Sequence, residues 1–298
     1  MDRRRREGTV LRVLASLILL STLLFPIGSA ASSDTLVIQS RRDPIFDDIL
    51  RGFQSVRPSS MHIITLADYS ETDITRLVRE EQPRLILTLG DTALNAVKRI
   101  RTVPIISLMS LNLQNMNSSH PNLSGISMLI SPERYIPIFS NLRAKRVGIL
   151  YNPARSGAYI RRASQLAARS GIVLVLREVR SSKDTQHQLT SLSREVDALW
   201  MIPDPVVVTQ QTAEAFFHFS QRERIPVVAF ASIYLSLGSS AVLEVDRFDM
   251  GKQAAEMALK FSKGIDPEET PMESPRRAIL KINRNVLRRL GIAPEELE

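Results

Sequence analysis

Three aspartates carry what catalytic possibility this chain has. Asp43, Asp91 and Asp204 each follow a short apolar run and a turn, and carboxylates brought together can do acid–base or glycosidic chemistry. The sequence offers them no reaction partner. It has no G-x-S-x-G elbow, no phosphate-cradling G-x-x-x-x-G-K-[ST], no H-E-x-x-H and no G-x-G-x-x-G. Cysteine is absent, which excludes a disulfide framework, an iron–sulfur cluster, a thiolate zinc site and a cysteine nucleophile. The four histidines (His62, His120, His187 and His218) show no metal-ligand spacing, and His218, between Phe217 and Phe219, reads as a partly buried packing residue. The expectation is a binding protein, not an enzyme, with no metal and no cofactor.

The elements that would position a binding site alternate. Thr35–Gln39, Met61–Leu66, Leu85–Leu89 and Val103–Ser107 read as strands, with helices over Pro44–Arg57, around Ile74–Val78, and from an Asp91 cap to Arg99. After a polar, Asn-rich stretch from Asn112 to Asn122 the pattern restarts at Arg146–Tyr151. It continues with strands at Val173–Val179, Ala198–Ile202, Val227–Phe230, Ala241–Val245 and Ala278–Ile282. Helices are expected at Tyr159–Arg169, Thr212–Gln221, Met250–Ser262 and Asn283–Leu290. Such alternation means parallel strands with right-handed crossovers. The 298 residues suffice for two cores at about 150 residues per domain. The fold class is therefore α/β, in two doubly wound parallel-sheet lobes; the polar break fits a closed eightfold barrel less well.

Open parallel sheets bind ligands beyond the carboxyl ends of their strands. The loops there read Ser40-Arg41-Arg42-Asp43, Gly90-Asp91-Thr92-Ala93, Tyr151-Asn152-Pro153-Ala154, Pro203-Asp204-Pro205 and Phe230-Ala231-Ser232. Free amides at the helix starts suit a carboxylate. Asp43 and Asp204 could receive an amine, and Tyr151 or Phe230 could cover an apolar part. Any one of these Asp or Asn residues has the competing role of helix cap, so their convergence carries the reading.

The first 30 residues stand apart. Arg3 to Arg6 precede an apolar run from Val10 to Phe25 and the small residues Gly28-Ser29-Ala30. This is the layout of a cleaved export signal, with cleavage before Ala31. No cysteine follows for lipid attachment, so a soluble periplasmic protein is expected. The formal charge of +8 includes this basic leader, without which about +5 remains, scattered in pairs such as Arg161-Arg162 and Arg288-Arg289. Aromatic residues are only 5% and do not interleave with them, so nucleic acid is not an expected partner.

An ordered set of segments resembles the ABC-transporter substrate-binding protein family that includes tryptophan-type binding proteins. These are LTLGDTALNA (87–96), RVGILYNP (146–153), DALWMIPDP (197–205), RIPVVAF (224–230) and MGKQAAEMAL (250–259), with the closing Asn283–Ile292. The resemblance spans about Thr35 to Ile292. It implies a type I periplasmic-binding-protein fold whose two lobes are joined by a three-segment hinge and close on a small molecule. By position, lobe 1 is 34–129 plus 248–272 and lobe 2 is 130–247 plus 273–298. Gly90, Asp91, Thr92 and Ala93 would meet the ligand from lobe 1. Asn152, Ser156, Asp204 and Phe230 would meet it from lobe 2, with Asp246 near a crossing segment. The family usually follows that glycine with Thr or Ser, where this chain inserts Asp91. The implied setting is a monomer serving an ABC permease or another membrane partner; the alternative is a sensory or accessory module without transport.

Overall fold

The computed structural model describes residues 34–70, 73–117 and 120–297. The expected export signal at residues 1–30 lies outside them. Among the described residues the strands form two sheets. The first contains β1 (Thr35–Gln39), β2 (Met61–Thr65), β3 (Leu85–Leu89), β4 (Ile105–Leu108) and β5 (Leu123–Gly125). They are all parallel, in the order β2-β1-β3-β4-β5. Every residue of β1 and β3 is buried, which is why TLVIQ and LILTL run almost wholly apolar instead of alternating. One face, with Val37, Leu87 and Ile106, packs on Phe46, Ile49 and Phe53 of helix α1 (Pro44–Val56). The other, with Leu36, Ile38 and Ile86, packs on α2 (Ile74–Glu81) and α3 (Asp91–Ala96).

A short helix α4 (Leu113–Asn117) occupies the polar stretch, and α5 (Ile136–Asn141) introduces the second sheet. That sheet contains β6 (Arg146–Tyr151), β7 (Val173–Glu178), β8 (Ala198–Trp200), β9 (Val227–Ala229), β10 (Ala241–Val245) and β11 (Ala278–Ile282), in the order β11-β10-β9-β8-β6-β7. Its helices are α6 (Pro153–Arg169), α7 (Thr185–Thr190), α8 (Ala213–Glu223) and α9 (Ile233–Leu237). The chain then forms α10 (Arg247–Ser262) and ends with α11 (Arg284–Arg289).

Both sheets wind the same way. The first half's order 2-1-3-4-5 recurs in the second as β7-β6-β8-β9-β10. Strand order reverses between β1 and β3 and again between β6 and β8, the places where such sheets open a crevice for ligand.

The two doubly wound sheets match the expectation, with one departure from purely parallel strands: β11 runs antiparallel to β10. The reason is where the chain re-enters. β10 leaves the sheet at Val245, and the Asp246 amide donates to the Arg277 carbonyl at 3.2 Å. The returning segment therefore starts β11 beside the end of β10 and can only run back along it.

Three segments cross between the sheets and lie side by side. Residues 126–130 follow β5, Asp246 joins β10 to α10, and residues 270–277 lead back to β11. The Ser127 amide donates to the Glu273 carbonyl at 2.9 Å, and the Glu273 amide to the Gly125 carbonyl at 3.0 Å. Helix α10 continues the chain from the second sheet but packs on α1 of the first. The helices touch so closely there that a Cβ on Gly52 would sit 2.0 Å from the Phe248 carbonyl oxygen, and one on Gly251 2.0 Å from that of Ile49.

Other boundaries moved. Helix α3 ends at Ala96, not Arg99, and Asp91 is its first residue instead of its cap. Helices α6 and α10 start earlier than expected, at Pro153 and Arg247. β5, with three residues, and the short helices α4, α5 and α9 went unread. His218 is exposed on α8, while Phe217 and Phe219 beside it are buried.

Candidate inter-lobe binding site

At the first reversal of strand order, β1 and β3 end in loops joined by one hydroxyl. Gly90 turns the chain with φ +94°, and a Cβ there would meet Ser40 Oγ at 2.6 Å. Only glycine takes this turn without strain. It leaves Ser40 Oγ free to accept the Ala93 amide at 2.9 Å. The Asp91 carboxylate does not cap α3; it reaches to the loop after β4, where Oδ1 accepts from Ser110 Oγ at 2.5 Å and from the Asn112 amide at 3.0 Å. Thr92 is exposed and Ala93 buried.

The second reversal, between β6 and β8, is joined by a carboxylate. Asp204 is 0% exposed, and all its bonds are internal. Oδ2 accepts the Asn152 amide at 2.8 Å and Ser156 Oγ at 2.7 Å; Oδ1 accepts the amides of Val206 at 3.0 Å and Val207 at 3.4 Å. A buried charge is tolerated when it is bonded this fully. Asp204, expected to receive a ligand amine, instead anchors the loops after β6 and β8. Asn152 caps α6, its Oδ1 accepting the Ala154 and Arg155 amides. Its Nδ2 donates to the Val179 carbonyl at 2.8 Å, fixing the loop after β7 as well.

These two assemblies face each other across a narrow cavity of about 10 Å³, room for one water. Its polar wall is Ser110 and Gln114 from the first lobe, Ser127 from a crossing segment, and Arg155 and Ser156 from the second. Gln114 Nε2 donates to Ser127 Oγ at 3.2 Å, and Arg155 Nη1 spans the lobes to Asn112 Oδ1 at 3.4 Å. Leu111, Met128, Leu129, Pro203 and Pro205 complete the lining with apolar surface.

Of the residues expected at the site, Ser156 lines this cavity; Asp91 stands behind Ser110, and Asp204 and Asn152 stand behind Ser156, while Gly90, Thr92 and Ala93 belong to the loop that carries Asp91. The others lie apart. Asp43 caps α1 and pairs with Arg41 at 2.7 Å. Tyr151 donates to Glu178 at 3.4 Å, and its phenol titrates above the usual range because of burial and that carboxylate. Phe230 packs edge-on to Tyr234, 5.1 Å between centroids. Asp246 caps α10 and stands 3.7 Å from Arg277.

Ser110, Gln114, Ser127 and Arg155 were missed. For Arg155 a signal existed: it is the third residue of α6, where a cation opposes the helix dipole. Such a local violation without structural benefit is where function concentrates. Among the described residues, no group of three or more His, Cys, Asp or Glu could hold a metal ion.

Comparison with known proteins agrees with this architecture. A "Tyrosine-binding protein" of Clostridioides difficile (strain R20291) is 22% identical over 175 residues, 57% of this chain, and the match spans half of that protein's length. The structure of an ABC domain in complex with L-Trp from Streptococcus pneumonia superposes with a TM-score of 0.64 at 18% identity, covering 90% of this chain and 97% of that one. The ligand-free, open structure of a Clostridium difficile substrate binding protein with adhesive properties gives 0.65 at 18% identity, over 87% and 95%. The likeness to these structures establishes the type I periplasmic-binding-protein fold. Because the model of one family matches residues 67–297, nearly everything from the end of β2 onward, the chain belongs to the ABC transporter substrate binding protein family.

Proposed function

We propose that this protein is a periplasmic solute-binding protein that captures a small molecule between its lobes and delivers it to an ABC-type importer. The observation that carries the reading is the cavity between the two switch points, lined from both lobes and from the first crossing segment. The cavity as it stands has room for one water, so a solute needs the lobes further apart; seated between them it touches both bodies at once and favours the arrangement that closes on it over a fully open one. That difference in affinity is what shifts such an equilibrium. The moving bodies are residues 34–129 with 248–272, and residues 130–247 with 273–298. The relatives named above extend the reading to amino acids or molecules shaped like them.

Residues 1–30 serve as the export signal and are removed, leaving a monomer in the periplasm. No helix among the described residues is long and apolar enough to cross a membrane. Residues 31–298, screened by thermal shift against amino acids, short peptides, nucleosides, sugars and vitamins, give at least one clear hit. Ligand at one hundred times its dissociation constant adds about 2.7 kcal/mol. A panel without any shift, on protein that mass spectrometry shows to be free of bound molecule, contradicts capture. Crosslinking of the loaded protein to a membrane kinase or receptor in place of a permease would favour a sensory role.

A further inference from the structure

We infer that the ligand is a carboxylate whose negative charge is met by Arg155, and that the site does not recognise an α-ammonium group. This deepens the proposed capture function and rests on it.

Arg155 is the charged side chain of the cavity wall. Among the described residues it forms no ion pair; its guanidinium makes only the long contact to Asn112 Oδ1 at 3.4 Å across the cleft. Nor is it placed there for the helix. At the third position of α6 it opposes the dipole, and the Asn152 carbonyl and side chain already serve the first-turn amides. No carboxylate lines the cavity beside it. Asp204 is fully buried among four internal donors, and Asp91 stands behind Ser110, its Oδ1 accepting from Ser110 and Asn112.

The lining therefore carries one positive charge and no negative one. A guanidinium with free donors matches a carboxylate in a two-bond fork. An ammonium group in the same space would find hydroxyl oxygens but no counter-charge.

The test uses residues 31–298 with triads that share a skeleton. These are L-tryptophan, 3-indolepropionate and tryptamine; L-tyrosine, 3-(4-hydroxyphenyl)propionate and tyramine; L-leucine, 4-methylpentanoate and 3-methylbutylamine. Calorimetric titration is expected to show, in at least one triad, the deaminated acid within about threefold of the amino acid or tighter, and the amine at least a hundredfold weaker. In that triad Arg155→Gln weakens the acid at least tenfold, Arg155→Lys restores part of the loss, and Asn112→Ala changes it less than threefold. Arg155 is exposed, so the thermal midpoint of the free variants stays near that of the parent.

An amine that binds as well as its acid overturns the inference, as does an amino acid more than tenfold tighter than its deaminated form. It also fails if Arg155→Gln binds the acid like the parent, or if Asn112→Ala reproduces the arginine loss, which would make Arg155 a latch between lobes. In these cases capture itself stands. Failure of every member of every triad to bind the intact, empty protein overturns the capture reading together with this one.

Discussion

At the scale of single residues, the carboxylates around the cleft hold the protein together, and none of them lines the cavity. Asp204 is one of them. Replacing it with alanine strands the amides of Asn152, Val206 and Val207 and the Ser156 hydroxyl, so Asp204→Ala should lose about 3 kcal/mol in urea unfolding. Asp204→Asn, which keeps the shape, should lose less. Glu244 makes a second such prediction. Burial raises its carboxyl, but Lys281 at 2.5 Å, Ser232 and Arg247 at 3.0 Å lower it further, and it titrates below the usual glutamate range. Its folded value thus lies below its unfolded value of about 4.3, so its contribution is complete above that pH and is lost as pH falls through the folded value. Stability measured by urea should stay level from pH 7 to about 5 and then decline. Glu244→Gln should lower the plateau and make the decline shallower. The aspartates were legible as residues that matter, but their roles were not. A carboxylate at a loop reads alike in sequence whether its partners are four nearby donors or a ligand, because those donors are fixed by tertiary packing.

At the scale of elements, what the sequence showed best was burial. Strands covered on both faces, such as TLVIQ in β1 and LILTL in β3, announce themselves by composition. Elements of three to six residues, such as β5 and α4, do not, since they are held by neighbours and not by their own periodicity. β5 survives as a strand because Gly125 lets it approach β4: a Cβ there would lie 2.1 Å from the Ser107 carbonyl oxygen. The α1–α10 contact depends on two glycines in the same way. Gly251→Ala drives a methyl group into the α1 backbone and should cost about 3 kcal/mol in denaturant unfolding. A cost below about 0.5 kcal/mol would show that the helices can separate freely. The network alongside α10 binds the third crossing: Arg276 forks to Asp249 at 2.9 Å and to Glu256 at 2.7 Å, and Gln253 reaches Glu273 at 2.7 Å. Its residues recur at helical spacing, but partners 20 or more residues onward cannot be read from that spacing.

At the scale of the whole molecule, repeated winding and three adjacent crossings make a hinge the natural motion. Trp200, the single tryptophan, is placed to report it. It stacks with Tyr135 at 4.5 Å and meets Tyr159 edge-on at 6.0 Å, and the Tyr159 hydroxyl donates to the Ile130 carbonyl of the first crossing at 2.8 Å. Ligand should therefore change the tryptophan emission, and Tyr159→Phe should diminish that change without abolishing binding. A signal identical in parent and variant would separate the tryptophan from the hinge. The central claim is that ligand holds the lobes together, and small-angle X-ray scattering tests it most directly. Measured with and without the tightest-binding carboxylate at one hundred times its dissociation constant, the radius of gyration should be smaller with ligand than without it. A radius unchanged on saturation would contradict the account.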